Sequence, residues 1–258
     1  MISVSAAQLS LWISSYFWPF VRIGACLMVA PVFGSKMIPS RVRLVIAGAL
    51  TVLLAPGITA PANVELFSGV SLVITLQELV IGVAMGFVLQ MIFDAVEMAG
   101  QLIANSMGLS FATSVDPLHG ASTPVLGQFY TIMVTLTFLA LNGHLLFIES
   151  MTQSFSLLPI GLTGLGRDGL WMLVTFGSTV FSGALMLALP GLVAMLIVNF
   201  GFGVMSRAAP SMNLFAVGFP ASLALGLIIV FLSLSSVQDG FRGLISSAMM
   251  MLTALSGG

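Results

Sequence analysis

The chain has 258 residues, of which 59% are hydrophobic and only 6% are charged. A soluble globular protein carries about 25% charged residues, because water must solvate its surface. The mean hydropathy of +1.16 and the formal net charge of -1 exclude a soluble domain. They also exclude a nucleic-acid-binding protein, because no basic surface is available to bind phosphates.

Long charge-free stretches indicate helices that cross a membrane. Runs without Asp, Glu, Lys or Arg cover residues 44–64, 117–148, 169–206 and 208–238. Each run reaches the ~20 residues that a spanning helix needs. Strands of a membrane barrel would instead alternate in polarity over ~10 residues. The sequence therefore predicts an all-α membrane protein.

Hydrophobic periodicity predicts about six hydrophobic helical segments in chain order, at residues 9–33, 44–61, 69–105, 124–141, 168–200 and 213–236. Shorter amphipathic helices are predicted at residues 145–157 and 241–255. Clusters of Pro and Gly at residues 30–39, 56–61, 159–169 and 209–210 predict the breaks between them. The third and fifth segments are too long for upright spans, since ~35 residues reach ~50 Å against a hydrocarbon core of ~30 Å. We expect them to tilt steeply or to leave the bilayer.

The cations predict the orientation of the chain in the membrane. They cluster in two predicted loops, with Lys36, Arg41 and Arg43 in the first and Arg207 in the second. The positive-inside rule makes both loops cytoplasmic and both termini external. The carboxylates of Asp94, Glu97 and Asp116 fall on the same side, but acidic residues count little in this rule.

Few residues are available for catalysis or for metal binding. His119 and His144 are the only histidines, they lie in different predicted loops, and neither belongs to a His-Glu-x-x-His motif. No nucleophile elbow and no phosphate-binding loop is present, and Cys26 has no second cysteine with which to form a disulfide. We expect no catalytic site, metal or cofactor. An intramembrane hydrolase would require activity that depends on one of the two histidines.

Four charged residues lie inside apolar segments, namely Arg22, Glu78, Asp94 and Glu97. A charge at the centre of a bilayer costs ~2.5–3.5 kcal/mol on insertion scales, so such groups pair with each other or line a wet cavity. Asp94 and Glu97 share one helix face, and Arg22 is a candidate to neutralise a carboxylate on a neighbouring helix. We favour structural ion pairs between helices or subunits over a pathway for protons or ions.

Two glycines predict a close contact between helices. Gly82 and Gly86 form a small-xxx-small pattern, which lets two helix backbones approach each other. The pattern begins one turn beyond Glu78. We therefore expect this face of the third helix to pack directly against another helix.

Residues 105–124 form an unusual segment between two hydrophobic helices. Gly108 and the Asp116-Pro117 pair predict bends in the backbone, while Met107, Leu109, Phe111 and Val115 are too apolar to lie in water. Non-helical backbone is tolerated at membrane depth only when it is buried in protein or lines a cavity. The segment is thus predicted to be a re-entrant or plugging loop, with a packed surface connector as the alternative.

Several motifs together resemble one known family. They are Arg22 with Ala30-Pro31-Val32-Phe33-Gly34, Ile38-Pro39 with Val42-Arg43, Glu78 with Gly82 and Gly86, Met107 to Ala112 with Asp116-Pro117, Asn142-Gly143-His144, Leu189-Pro190, Asn199 with Arg207 to Pro210, and Asn213-Leu214-Phe215 with Gly218-Phe219-Pro220. In order and spacing they resemble the FliR family, the export-gate subunits of flagellar and type III secretion systems. The resemblance covers almost the whole chain.

The resemblance implies a single export-gate domain of long, tilted helical hairpins. Residues 1–165 would be similar to FliP, with a plug loop at 105–124, and residues 166–258 would form a hairpin similar to FliQ. Homologues of FliP, FliQ and FlhB are the implied partners, and unfolded flagellar proteins are the implied cargo. The implied location is the bacterial inner membrane within the flagellar basal body, with the gate raised toward the periplasm and surrounded by lipid.

The resemblance also implies roles for individual residues. The plug of the pore would comprise Met107, Gly108, Leu109, Ser110, Phe111, Ala112, Thr113, Ser114, Val115, Asp116 and Pro117. Candidates for polar contacts between helices or subunits are Arg22, Glu78, Asp94, Glu97 and Arg207.

A polytopic secondary transporter is the alternative function. Such carriers bind substrate between paired discontinuous helices in two halves of the chain, and no such pairing is visible here. A carrier would be stable alone, whereas a gate subunit would need its unlike partners. The choice of a flagellar over a virulence secretion system rests on the resemblance alone.

Overall fold

The fold is all-α over the part of the chain that the computed structural model describes, which is residues 6–34, 38–59, 61, 64, 68–109, 125–209 and 214–257. Within these residues there is no β-strand. The prediction of an all-α membrane protein is confirmed. Helices pair backbone N–H and C=O groups within one segment, as a chain in lipid requires.

Eight α-helices are described. They are α1 (Ala6–Val29), α2 (Ser40–Leu54), α3 (Gly69–Ser106), α4 (Val125–Ala140), α5 (Gly143–Leu157), α6 (Arg167–Phe176), α7 (Ser178–Ala208) and α8 (Leu214–Gly257). A short 3-10 helix, Ala55–Gly57, follows α2.

Four helical segments of the described chain are long and apolar enough to cross a membrane. They are Ser40–Gly57, Gly69–Ser106, Arg167–Ala208 and Val217–Leu255, and α4 with α5 makes a fifth if that broken pair counts as one span. The first of the six predicted segments is instead a shorter apolar helix, Ile13–Val29. Both predicted over-long segments are present, since α3 has 38 residues and Arg167–Ala208, which α6 and α7 form together, has 42. A third long helix, α8 with 44 residues, was not predicted.

The C-terminal helix is continuous, whereas two separate helices were predicted at residues 213–236 and 241–255. The polar residues between them do not break α8, and Arg242 Nη1 pairs with Asp239 Oδ1 at 3.1 Å along the helix surface. An exposed pair at this spacing is compatible with helix. The single residue Gly240 is also tolerated inside a long helix.

Two turns are defined by residues with positive φ. Asn142 has φ 56° and separates α4 from α5, in a conformation that asparagine tolerates better than most residues. After α1, Val32 has φ 69°, and the N–H of Phe33 donates to the carbonyl of Pro31 at 2.8 Å. Pro31 cannot extend the helix, which explains why α1 ends before the predicted residue 33.

The chain divides into two compact units. The first comprises Met1–Met91, Asn142–Gly177 and Ser246–Gly258, and its buried side chains include Trp18, whose Nε1 donates to Thr75 Oγ1 at 3.3 Å. The second comprises Ile92–Leu141 and Ser178–Ile245. Its core contains Phe93 edge-to-face with Phe138 at 5.6 Å and with Phe241 at 5.4 Å. The predicted division near residue 165 is a different one, because it rests on similarity to partner subunits and not on compact units. It stays a prediction.

Candidate functional site

Glycines on α3 bring the backbone of α1 into direct contact. A Cβ added at Gly82 would overlap the carbonyl oxygen of Arg22, and one at Gly86 would lie 2.5 Å from the carbonyl oxygen of Cys26. Only glycine fits at such distances. The predicted close approach at this pattern is therefore present, and its partner is α1.

The same contact places Arg22 against Glu78, one turn before Gly82 on α3. Nε of Arg22 donates to Oε2 of Glu78 at 2.6 Å, and Nη2 donates to Oε1 at 2.9 Å. The two side chains are 0% and 1% exposed. Such two-point pairing is the strongest arrangement of a guanidinium and a carboxylate.

Arg22 also holds the C-terminal end of α5. Nη1 donates to the carbonyl and the hydroxyl of Ser154 at 3.1 and 3.2 Å, and Nη2 donates to the carbonyl of Leu158 at 2.9 Å. The carbonyl of Ser154 also accepts the N–H of Leu158 at 2.8 Å, whereas the carbonyl of Leu158 lies beyond the last turn of the helix. A cation at this end also complements the helix dipole. The guanidinium carbon lies 4.2 Å from the centre of the Phe155 ring, a cation–π contact.

These five residues, Arg22, Glu78, Ser154, Phe155 and Leu158, form the buried arginine cluster. The guanidinium makes five hydrogen bonds, which equals its five N–H donors. It therefore has no donor left for a passing ion. Chemically, the cluster is a cross-link between α1, α3 and α5.

The other predicted polar residues lie elsewhere on their helices. Asp94 and Glu97 are both half-buried, and Glu97 Oε1 accepts a hydrogen bond from Gln101 Nε2 at 3.3 Å. Arg207 is exposed in the last turn of α7, where a cation complements the helix dipole. Their roles in contacts between subunits stay predictions.

The C-terminal end of α3 is closed by a Schellman motif. Gly108 has φ 84°, its N–H donates to Asn105, and the N–H of Leu109 donates back to the carbonyl of Ala104, both at 3.1 Å. This pattern ends a helix sharply at a left-handed glycine. The helix therefore stops just where the predicted plug begins.

Two neighbouring helices hold this end of α3 in place. Nδ2 of Asn199 on α7 donates to the carbonyl of Ser106 at 3.0 Å. The buried side chain of Met107 fills the space above Gly226 on α8, where an added Cβ would meet Met107 Cγ and Cε at 2.5 Å. We call Ser106, Met107, Gly108, Asn199 and Gly226 the loop anchor.

Most of the predicted plug lies outside the described residues. Met107, Gly108 and Leu109 are described, whereas Ser110, Phe111, Ala112, Thr113, Ser114, Val115, Asp116 and Pro117 are not, and neither is His119. His144 is half-buried at the start of α5. In the part of the chain that the structure describes, no group of three or more His, Cys, Asp or Glu side chains is placed to hold a metal ion.

The sequence did not predict the acceptors on α5 in the buried arginine cluster. It also did not predict the contacts of Asn199 and Gly226 in the loop anchor. Ser154 and Leu158 act mainly through backbone carbonyls, which no side-chain pattern reveals. Asn199 stood among the residues that resemble a known family, but nothing connected it with the end of α3. Gly226 was one of 27 glycines, and only its contact with Met107 distinguishes it.

Comparison with known proteins identifies the family. The profile of the bacterial export proteins, family 1, matches residues 13–248. The chain is 39% identical over 228 residues to the flagellar biosynthetic protein FliR of Escherichia coli K12, covering 88% of this chain and 87% of that protein. It is 35% identical over 221 residues to FliR of Aquifex aeolicus, covering 85% and 83%, and 28% identical over 230 residues to FliR of Bacillus subtilis, covering 88% of each. The chain thus belongs to family 1 of the bacterial export proteins and is an integral-membrane component of flagellar export.

Proposed function

We propose that this chain is a non-catalytic subunit of a protein-conducting pore in the flagellar export gate. In this proposal it assembles with FliP-like and FliQ-like chains, binds an FlhB-like protein on its cytoplasmic side, and passes unfolded flagellar proteins. The gate lies in the inner membrane at the basal body and is raised toward the periplasm. Family membership over residues 13–248 is the main support for this proposal.

Exposed apolar surface supports assembly with unlike chains. On α7, Phe181, Met186 and Phe200 are 66%, 74% and 73% exposed. Large apolar side chains exposed along a helix indicate a surface that protein or membrane covers. At ~1.5 Å per residue, α3 and α8 would reach ~57 and ~66 Å, about twice the hydrocarbon thickness. We infer that neighbouring chains cover the parts of α3 and α8 that extend beyond the hydrocarbon core.

We further propose that residues 107–117 form a plug in the lumen of the pore. The loop anchor is the structural feature that supports this proposal. The Schellman motif ends α3 at a defined point, and the contacts of Asn199 and Met107 hold that point against α7 and α8. A fixed starting point limits the positions that the loop can reach. The apolar side chains of Leu109 and Phe111 suit a seal against water and ions.

Co-purification tests the assembly. The chain would be expressed with its FliP and FliQ homologues and isolated through a tag on this chain alone. We expect both partners in one complex that survives size exclusion. A monodisperse single species that transports a small solute in vesicles would contradict the proposal and favour a carrier.

Ion leakage tests the plug. We expect deletion of residues 110–115 to leave the complex intact and to raise the ion conductance of the membrane. A Gly-Ser insertion after Thr163, in the turn between α5 and α6, is the control for a change in a loop and should leave conductance unaltered. Native conductance in the deletion variant, with the complex intact, would refute the plug.

A further inference from the structure

A groove between α1 and α2 does not belong to either of the groups described above. It has a volume of about 530 Å³ and is lined by Ile13, Tyr16, Phe17, Phe20, Gly48, Thr51 and Val52. The surface that these residues present is hydrocarbon, because the hydroxyl of Thr51 donates at 2.7 Å to the carbonyl of Ala47 within its own helix. Nothing lies within 4 Å of the Cβ position at Gly48, so the floor of the groove is open.

A cation lies outside the lining of this groove, on the same face of α2 and nearer to the start of the helix. Arg41 is exposed and precedes Gly48 by one heptad, so the two residues differ by only ~20° around the helix axis and by ~10 Å along it. Leu44 and Val45, between them on α2, are 44% and 70% exposed. This face of α2 therefore presents a positive charge followed by hydrocarbon.

Arg43, two residues further along α2, has a different set of contacts. Nε and Nη2 of Arg43 both donate to the carbonyl of Ile38, at 3.2 and 2.9 Å. Arg43 is thereby folded back onto the turn before α2. Within the described part of the chain no carboxylate pairs with Arg41, so its guanidinium is available to a ligand.

We propose that the groove between α1 and α2 is a binding site for an anionic phospholipid, with the phosphate on Arg41 and an acyl chain over Gly48. The order of charge and hydrocarbon argues for a lipid rather than for a helix of another protein. A phospholipid joins one phosphate to apolar chains. The face of α2 has the matching order, with a cation first and apolar side chains after it. Tyr16, Phe17 and Phe20 line the groove with aromatic rings, whose apolar faces suit an acyl chain.

Charge explains why an anionic lipid binds better than a neutral one. A single Lys or Arg near the surface of an anionic membrane is worth about a fivefold difference in binding. The hydrocarbon part of the site contributes equally to both lipids, because acyl burial does not depend on the headgroup. Arg41 therefore selects the headgroup, and the groove holds the chain.

Native mass spectrometry of the full chain, purified with whatever partners it retains, tests the site. The probes are phosphatidylglycerol and phosphatidylcholine with identical acyl chains, and inorganic phosphate as a competitor. We expect Arg41→Gln to lower phosphatidylglycerol retention about fivefold. Phosphatidylcholine retention should fall by less, because the choline cation offsets the charge of the phosphate that both lipids carry. Gly48→Phe should lower the retention of both lipids, because the ring fills the groove. Arg167→Gln removes an exposed arginine elsewhere and should match the parent protein.

Three results would overturn the proposal. The first is unchanged phosphatidylglycerol retention in both groove variants. The second is displacement of the lipid by inorganic phosphate, which would show that the headgroup alone binds. The third comes from a photo-crosslinking residue at Val52, which is 65% exposed. A cross-link to phospholipid in native membranes supports the site, whereas a cross-link to another protein chain refutes it. None of these outcomes depends on the proposed pore or its plug.

Discussion

Arg22 and Glu78 form a two-point ion pair that is wholly buried between α1 and α3, with distances of 2.6 and 2.9 Å. The remaining donors of Arg22 end on α5. One side chain thus links three helices that are far apart in sequence. Removing it would leave the buried carboxylate of Glu78 and the carbonyl of Leu158 without their donor, while the carbonyl of Ser154 would keep the N–H of Leu158 at 2.8 Å.

The first prediction concerns this cross-link. Arg22→Ala should destabilise the first unit by about 3–5 kcal/mol, since breaking one side of a buried pair leaves an uncompensated charge. We expect less protein in the membrane and a lower melting temperature of the purified complex. Arg22→Lys should recover only part of the loss, because an ammonium cannot reproduce the planar fork.

A double variant provides the control. Arg22→Met with Glu78→Met replaces both charges by apolar groups, which is often neutral for a buried pair. The double variant should be more stable than Arg22→Ala but less stable than the parent, because the carbonyl of Leu158 still loses its donor. Arg22→Ala protein with normal stability and assembly but no export would instead indicate a role in moving ions.

The second prediction concerns the contact of α3 with α1. Gly82→Ala should destabilise the protein, because the new methyl overlaps the backbone of Arg22, which cannot move as a flexible side chain would. Gly24→Ala on α1 is the matched control, since nothing lies within 4 Å of its Cβ position. The control should be neutral or stabilising by up to ~1 kcal/mol, as alanine favours helix over glycine. Melting temperatures that shift in the same direction in both variants would contradict the packing argument.

The third prediction concerns the loop anchor. Gly226→Leu should expel Met107 from its position and shift the start of the plug, so we expect increased ion leakage with the complex intact. Gly243→Leu lies on the same helix, where nothing is within 4 Å of the Cβ position, and should not leak. Conductance is measured as in the test of the plug deletion. Suppose that Gly226→Leu leaves the ion conductance at the native level while the plug deletion raises it. That result would show that the loop anchor does not position the plug.

The fold class was predictable from the sequence because it depends on composition and run length alone. A chain with 6% charged residues must place its helices in lipid or against other chains. The breaks were predictable where Pro and Gly cluster, as at the end of α1. The false break near residue 239 came from treating a polar interruption as a helix end, although Asp239 and Arg242 pair along one helix.

The site was predictable only in part. The cost of burying Arg22 and Glu78 predicted that they need partners, and the spacing of Gly82 and Gly86 predicted a close helix contact. Which helix meets which depends on tertiary packing, and no local pattern carries that information. Backbone acceptors such as the Leu158 carbonyl have no sequence signature, so the third helix of the cross-link was not foreseen.

The last prediction concerns the turn after α1. Val32 has φ 69° and is the central residue of a three-residue turn, closed by the Phe33 N–H on the Pro31 carbonyl. A left-handed conformation costs a residue with a Cβ about 1–2 kcal/mol, and a β-branched side chain is especially unfavourable there. Val32→Gly removes that cost but adds about 0.5–1 kcal/mol of unfolded-state entropy. We therefore expect a small rise in melting temperature. Val32→Ala removes the branching but keeps the Cβ, so it relieves only part of the cost and its melting temperature should lie below that of the glycine variant. An alanine variant more stable than the glycine variant would show that the turn is not strained.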